Sequence, residues 1–232
     1  MRIRTLTLTA ASGAALLATA LLPASASGTP QPIPPLEAPV SAADLLAKVA
    51  SCAQISNGKY RTDERATAAT IPVCGKHGAV FWKADMDIDC DGQRTDSCNE
   101  DTDPWFQPAT SFHQSDGKPL RSDTLPYVVV PGISDTWDYA KAGIKGGSVV
   151  AVIHDDQILY AVVGDTGPKG IIGEASYAAA EALGIDPDPA TGGTDSGVTY
   201  ILFKDSQVTP IESHDAAVSL GERLAKEFIQ AN

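Results

Sequence analysis

Asp165 and Glu174 are two carboxylates, nine positions apart, in the stretch Gly164–Gly184, GDTGPKGIIGEASYAAAEALG. Paired carboxylates on rigid elements are what acid/base cleavage of a glycosidic bond requires. One gives a proton to the leaving oxygen while the other takes one from the attacking water. The same residue types have plainer uses, since Asp is common in turns and Glu near helix starts. A second acidic set lies upstream in Phe81–Asp91, FWKADMDIDCD, which carries Asp85, Asp87, Asp89 and Asp91.

The elements that must hold these groups follow from local patterning. The apolar run Gln157–Val163 reads as a strand leading to Asp165 at its exit. A tight turn built from Gly164, Gly167, Pro168 and Gly170 is expected next, because glycine and proline fix backbone angles that other residues resist. Ser176 suits a helix N-cap for Tyr177–Leu183, and Gly184 suits its stop. Phe81–Asp91 alternates strictly: Trp82, Ala84, Met86, Ile88 and Cys90 share one face, and Phe81, Lys83 and the four aspartates share the other. In a strand this gives one buried face and one row of carboxylates. Like charges at that spacing repel, so a cation, a basic neighbour or water must offset the cost.

Asp87–Gly92 has the DxDxDG form of a calcium loop, but the twelfth position is Cys98 where an EF-hand needs a bidentate Glu. No metal site is therefore assigned. The row is read instead as the lining of a groove for a cationic polymer, with Asp85 and Asp87 binding substrate. Were it merely a solvated face, neutralising Asp85 or Asp87 would leave activity untouched. Gly164, Gly167 and Gly170 miss both the P-loop and the dinucleotide spacings, and there is no GxSxG element. The four histidines (His77, His113, His154 and His214) are scattered without ligand spacing. No cofactor is expected.

Arg2 and Arg4 precede an apolar run from Leu6 to Leu22, and Ala24-Ser25-Ala26 offers a small-residue cleavage site. Residues 1–26 thus read as a secretory signal peptide, 27–40 as a proline-rich linker, and 41–232 as a single catalytic domain. The formal net charge of −12 disfavours nucleic acid and anionic membranes and attracts cationic polymers. Four cysteines after a signal peptide read as two disulfides; Cys52–Cys74 and Cys90–Cys98 are preferred because both close local loops. A secreted, extracellular monomer is expected.

Further strands are expected at Leu125–Gly132, Ser148–His154 and Val198–Lys204, with the second paired to Gln157–Val163 in a hairpin around Asp155-Asp156. Helices are expected after Ser41 and over Ser213–Ala231, the latter with Leu220, Leu224 and Phe228 on one stripe. The fold class is mainly β: a small barrel with appended helices.

Three motifs in order, FWKADMDIDCDG, LPYVVVPG and GDTGPKGIIGEAS, resemble glycoside hydrolase family 75, the secreted fungal and actinobacterial chitosanases. The resemblance spans roughly Val73 to Phe203. It implies endo-hydrolysis of β-1,4-linked glucosamine polymers with inversion, and an essential Asp and Glu that map onto Asp165 and Glu174. Separately, VVGDTGPKGIIGEASYAAAEALG is similar to the segment NDRGPF…IDLSYAAAKALG of double-psi β-barrel proteins such as rare lipoprotein A and expansins. Thr166 and Lys169 stand where that pattern has Arg and Phe. This second likeness implies a six-stranded double-psi-like barrel. It also offers two alternatives: a peptidoglycan lytic transglycosylase, or a non-catalytic carbohydrate-loosening module.

Local physics assigns the roles. Glu174 lies just before a helix start, whose positive end favours an ionised base. Asp165 ends an apolar strand, where burial favours a protonated acid. The expectation is therefore Asp165 as acid and Glu174 as base, with chitosan, each deacetylated sugar carrying an amine, as the partner.

Overall fold

The computed structural model describes residues 39–232. The signal peptide expected over residues 1–26 and nearly all of the linker expected over 27–40 lie outside the described residues.

Ser41 opens the first helix, α1 (Ala42–Lys48), with a full capping box: its hydroxyl accepts from Asp44 N–H while the Asp44 carboxylate reaches back to the Ser41 backbone. Two short strands follow, β1 (Ala53–Gln54) and β2 (Cys74–Lys76), and they pair antiparallel. Cys52–Cys74 staples them together. A cross-link over a loop of that size stabilises by on the order of 3 kcal/mol. Then comes β3 (Ala79–Asp89), an unbroken strand of eleven residues. The remaining elements are β4 (Tyr127–Pro131), β5 (Val149–His154), β6 (Gln157–Gly167), β7 (Glu174–Ser176), α2 (Tyr177–Ala182), β8 (Thr194–Phe203) and α3 (His214–Ala231).

Six strands close on themselves in the order β3–β7–β4–β6–β5–β8, with β8 returning to β3. Two of the contacts, β3–β7 and β4–β6, are parallel, and the others are antiparallel. The result is a closed mixed barrel, with β1 and β2 as extra strands beside β3 and three helices appended. This is the fold class expected. The predicted hairpin is present, and Asp155 turns it with φ 52°.

Strand alternation builds two cores. Trp82, Met86, Val128, Val130, Val150, Val152, Ala161, Val163 and Tyr200 form one, and Trp82 stacks on Tyr200 with centroids 5.5 Å apart. The alternate residues, among them Phe81, Tyr127, Val129, Ala151, Val162 and Phe203, form the other with residues of α1 and α3. The first set fills the barrel and the second is its outer wall. On α3 the buried stripe is Ala217, Gly221, Ala225 and Phe228. Leu220 and Leu224 flank it half-buried, so the contact centres one residue away from the expected leucine stripe. Small residues at the centre let the helix approach the wall closely.

Two expectations need correction. The chain does not turn at Gly164, because β6 runs on to Gly167 and the turn is confined to residues 168–170. Glu174 is not merely a pre-helical residue. It opens β7, a three-residue strand too short to show any periodicity, which exists because β3 and β4 pair with it.

Candidate active site

Gly164 is the extra residue of a β-bulge. Val128 pairs with Val163, but Val129 pairs with Asp165. The bulge moves Asp165 to the face that Val129 occupies, which is the outer wall. No larger residue fits at the bulge, since a Cβ on Gly164 would stand 2.6 Å from Tyr127 Cβ and 2.7 Å from Leu120 Cδ1. Asp165 is 6 % exposed. Its Oδ1 accepts from the Ser111 backbone N–H at 2.8 Å and from the Thr166 N–H at 2.6 Å. The Ser111 and Thr166 hydroxyls join alongside at 2.6 Å. One strand residue, Thr166, and one loop residue, Ser111, therefore fix this carboxylate.

The loop that supplies Ser111 is itself tied down. Cys90–Cys98 closes its start. Asp91 Oδ1 accepts from Gln107 N–H at 2.6 Å, and the Tyr127 hydroxyl donates to the Asp91 carbonyl at 3.0 Å. Trp105 projects from this loop, 75 % exposed, whereas Phe106 is buried.

Glu174 approaches from the other side of β4. Ala175 pairs with Val128, so in this antiparallel register Glu174 comes level with Val129. Asp165 and Glu174 thus flank Val129 from its two neighbouring strands, on one face. Two strand spacings put their backbones about 10 Å apart. The Glu174 side chain leans inward over β6: its Oε2 lies 2.5 Å from where a Cβ on Gly167 would be, beside Val129 Cγ1 at 3.0 Å from the same point. Gly167 leaves the room that carboxyl occupies.

The acidic row of β3 completes the cluster. Asp87 pairs with Glu174, and Asp89 with Ser176. Asp85, only 6 % exposed, tucks one carboxyl oxygen against Gly173, whose φ of 125° and missing side chain accommodate it. That oxygen has no hydrogen-bond partner among the described residues. Burial pushes the Glu174 carboxyl up to about 8, and the charges of Asp87, Asp165, Asp91 and Asp85 add to the push. Burial raises Asp85 to about 7 with help from Asp87, and Asp91 to about 6. Asp89 and Asp87 are raised as well, each first by burial. A crowded row of carboxylates cannot ionise together, so some hold protons at neutral pH.

The four acids named from sequence, Asp85, Asp87, Asp165 and Glu174, therefore share one face. The surroundings of Glu174 bear on which carboxyl keeps its proton. Ser176 does cap α2, but α2 has six residues, and its weak positive end is outweighed by burial and four neighbouring carboxylates. The Glu174 carboxyl is held well above the ordinary carboxylate range. Lys169 is exposed, with its stem against Gly132. Ser111 and Thr166 were missed: they lie far apart in sequence, and no local pattern links them. Among the described residues no three His, Cys, Asp or Glu side chains form a group able to hold a metal ion.

A family model described as fungal chitosanase of glycosyl hydrolase group 75 matches residues 86–230. The chain is 28 % identical over 190 residues to an endo-chitosanase of Aspergillus oryzae (strain ATCC 42149 / RIB 40), covering 72 % of this chain and 77 % of that protein. It is 28 % identical over 192 residues to an endo-chitosanase of Aspergillus fumigatus, covering 76 % and 79 %. Endo-chitosanase C of Aspergillus oryzae is 30 % identical over 203 residues, which is 80 % of this chain but 50 % of that longer protein. Among solved structures, Streptomyces papain inhibitor aligns over 58 % of this chain and 100 % of its own at 16 % identity, with a TM-score of 0.31. That likeness is too slight to carry any argument.

Proposed function

We propose, for a chain that belongs to the fungal chitosanase family of glycosyl hydrolase group 75, that it hydrolyses β-1,4 bonds between glucosamine units of chitosan by a single inverting displacement. Glu174 is the general acid and Asp165 the general base. The observation that carries this reading is the pair itself: two carboxylates flank Val129 on one wall, one pushed up to about 8 and the other held by two backbone N–H groups.

The chemistry follows from the protonation states. A carboxyl near 8 keeps its proton at neutral pH and can deliver it to the leaving glycosidic oxygen. Asp165 takes a proton from a water on the opposite side of the sugar ring as that water's oxygen bonds to the anomeric carbon. Inverting pairs keep their carboxyls about 6.5–9.5 Å apart to seat this water. Backbones about 10 Å apart, with Glu174 leaning toward β6, suit that spacing better than the closer pair of a retaining mechanism.

Asp87 pairs with Glu174 across the β3–β7 ladder, and Asp85 lies two residues before it along β3. These carboxylates are positioned to hold the ammonium groups of deacetylated sugars. The chain's net charge of −12 favours the same polymer at longer range. Both disulfides form as expected, which fits a protein working outside the cell. No helix among the described residues is long and apolar enough to cross a membrane.

The test is to incubate the protein with chitosan and, separately, with peptidoglycan. New reducing ends from chitosan, with the inverted anomer appearing first by NMR, are expected. Anhydro-sugars from peptidoglycan would identify a lytic transglycosylase instead, and polysaccharide binding with no new ends a non-catalytic module.

A further inference from the structure

One pair of groups beside Asp165 has no task in the chemistry described so far. The Ser111 and Thr166 hydroxyls join at 2.6 Å. Each is carried by a residue whose own backbone N–H bonds Asp165, and both of those bonds end on Oδ1. Two N–H donors fill the two lone-pair sites of a carboxylate oxygen, so Oδ2 is the oxygen left to take a proton. Ser111 is exposed and Thr166 half-buried, so the hydroxyls meet solvent where the buried carboxylate hardly does.

Both ends of the pair are held. On the loop side the buried Thr110 donates its hydroxyl to the Phe112 carbonyl at 2.6 Å and accepts from the Leu120 N–H at 2.9 Å. The Phe112 ring lies against Gly146, which has no Cβ to meet it. Ser111 is thus fixed through both of its chain neighbours. On the barrel side Thr166 sits in the β4–β6 ladder opposite Val130. Groups fixed before the substrate arrives can orient a reactant without a further entropy cost.

An attacking water has two hydrogens to place. One goes to the base. The other needs a second acceptor if the oxygen's lone pair is to stay aimed at the anomeric carbon. Two joined hydroxyls spend one O–H on each other and keep lone pairs free to accept. We infer that the Ser111–Thr166 hydroxyl pair is this second acceptor, and that it and Asp165 Oδ2 together seat the water that attacks the sugar. The inference rests on the proposed hydrolysis and adds two positioning residues to it. As the water oxygen bonds to the anomeric carbon and the bond to the leaving oxygen breaks, one water hydrogen passes to Oδ2 and the Glu174 proton passes to the leaving oxygen. The second water hydrogen stays on the new hydroxyl of the product. Neither Ser111 nor Thr166 gains or loses a proton.

The experiment removes the hydroxyls and leaves the backbone donors of Asp165 in place. T166V does so with little change of shape, and S111A does so from the loop side. Each should lower kcat on chitosan about ten- to a hundred-fold, with KM within about two-fold of the wild type and the melting temperature nearly unchanged. T166S keeps a hydroxyl and should recover most of the loss. Because the two hydroxyls act as one unit, the S111A/T166V double variant should fall little below the worse single variant. A normal kcat in both single variants, a loss carried by KM or by unfolding, T166S no better than T166V, or losses that multiply in the double variant would overturn the water seat. Reducing-end release by the wild type is read alongside. No release would defeat the hydrolase reading and the seat with it, whereas release that the variants leave undiminished would defeat the seat alone.

Discussion

The Glu174 carboxyl fills the space that a side chain on Gly167 would take, with Oε2 2.5 Å from the missing Cβ. Gly167 thereby sets where the proposed acid stands. In G167A the carboxyl at the end of a flexible side chain must yield, while the backbone need not. The expected outcome is a kcat lowered at least about ten-fold, with the melting temperature nearly unchanged. Kinetics and thermal melts on the same preparation check it. A normal kcat would show that Glu174 does no chemistry from that position.

A general acid works when protonated, so with Glu174 in the proposed role kcat/KM should fall as pH rises through about 8. E174Q should abolish that limb and lower kcat by about 10²–10⁴-fold. Azide should restore turnover to Asp165→Ala, yielding the glycosyl azide of inverted configuration, and should not restore Glu174→Ala. Rescue of Glu174→Ala alone would exchange the two roles.

Asp87 faces Glu174 across the β3–β7 ladder and is half-buried. D87N should raise KM for chitosan about three- to ten-fold at low salt, with a smaller change in kcat. Added salt should raise the wild-type KM toward the variant's, because screening removes the same attraction. Equal KM values at low salt would remove Asp87 from substrate binding.

Stability should fall as pH rises across the same range. Folding holds protons on Glu174, raised to about 8, on Asp85, raised to about 7, and on Asp91, raised to about 6. The unfolded chain loses those protons near the ordinary carboxyl values. Raised carboxyls therefore destabilise above those ordinary values, and the loss is complete once pH passes the folded values. The melting temperature should drop between about pH 5 and pH 8.5. E174Q should flatten the drop and gain about 1–3 kcal/mol at the alkaline end. A rising or level curve for the wild type would contradict the crowded acidic row.

Gly164 makes the bulge that faces Asp165 toward the loop. G164A puts a methyl group 2.6 Å from Tyr127 Cβ and 2.7 Å from Leu120 Cδ1, both buried. Overpacking of this kind costs about 1–3 kcal/mol. Because the Asp165 hydrogen bonds depend on the same backbone, activity should fall further than the loss of folded protein explains. Urea unfolding with parallel activity measurements separates the two effects.

Much of this protein is written locally. The alternation of FWKADMDIDCD is enough to build β3, because side chains two apart share a face whatever surrounds them. Ser41, Ser176 and Ser213 mark helix starts through hydroxyls that take the first free N–H groups. The cysteine pairs follow from short loops. Asp165 and Glu174 can be picked out as acids by type and by motif. Which of them keeps its proton cannot, because that depends on burial and on charges from β3 and β6 that meet Glu174 only when the barrel closes. The bulge at Gly164, the three-residue β7 and the reach of Ser111 to Asp165 are likewise decided in three dimensions. Each is a contact between segments distant in the chain, and sequence spacing carries no record of such contacts.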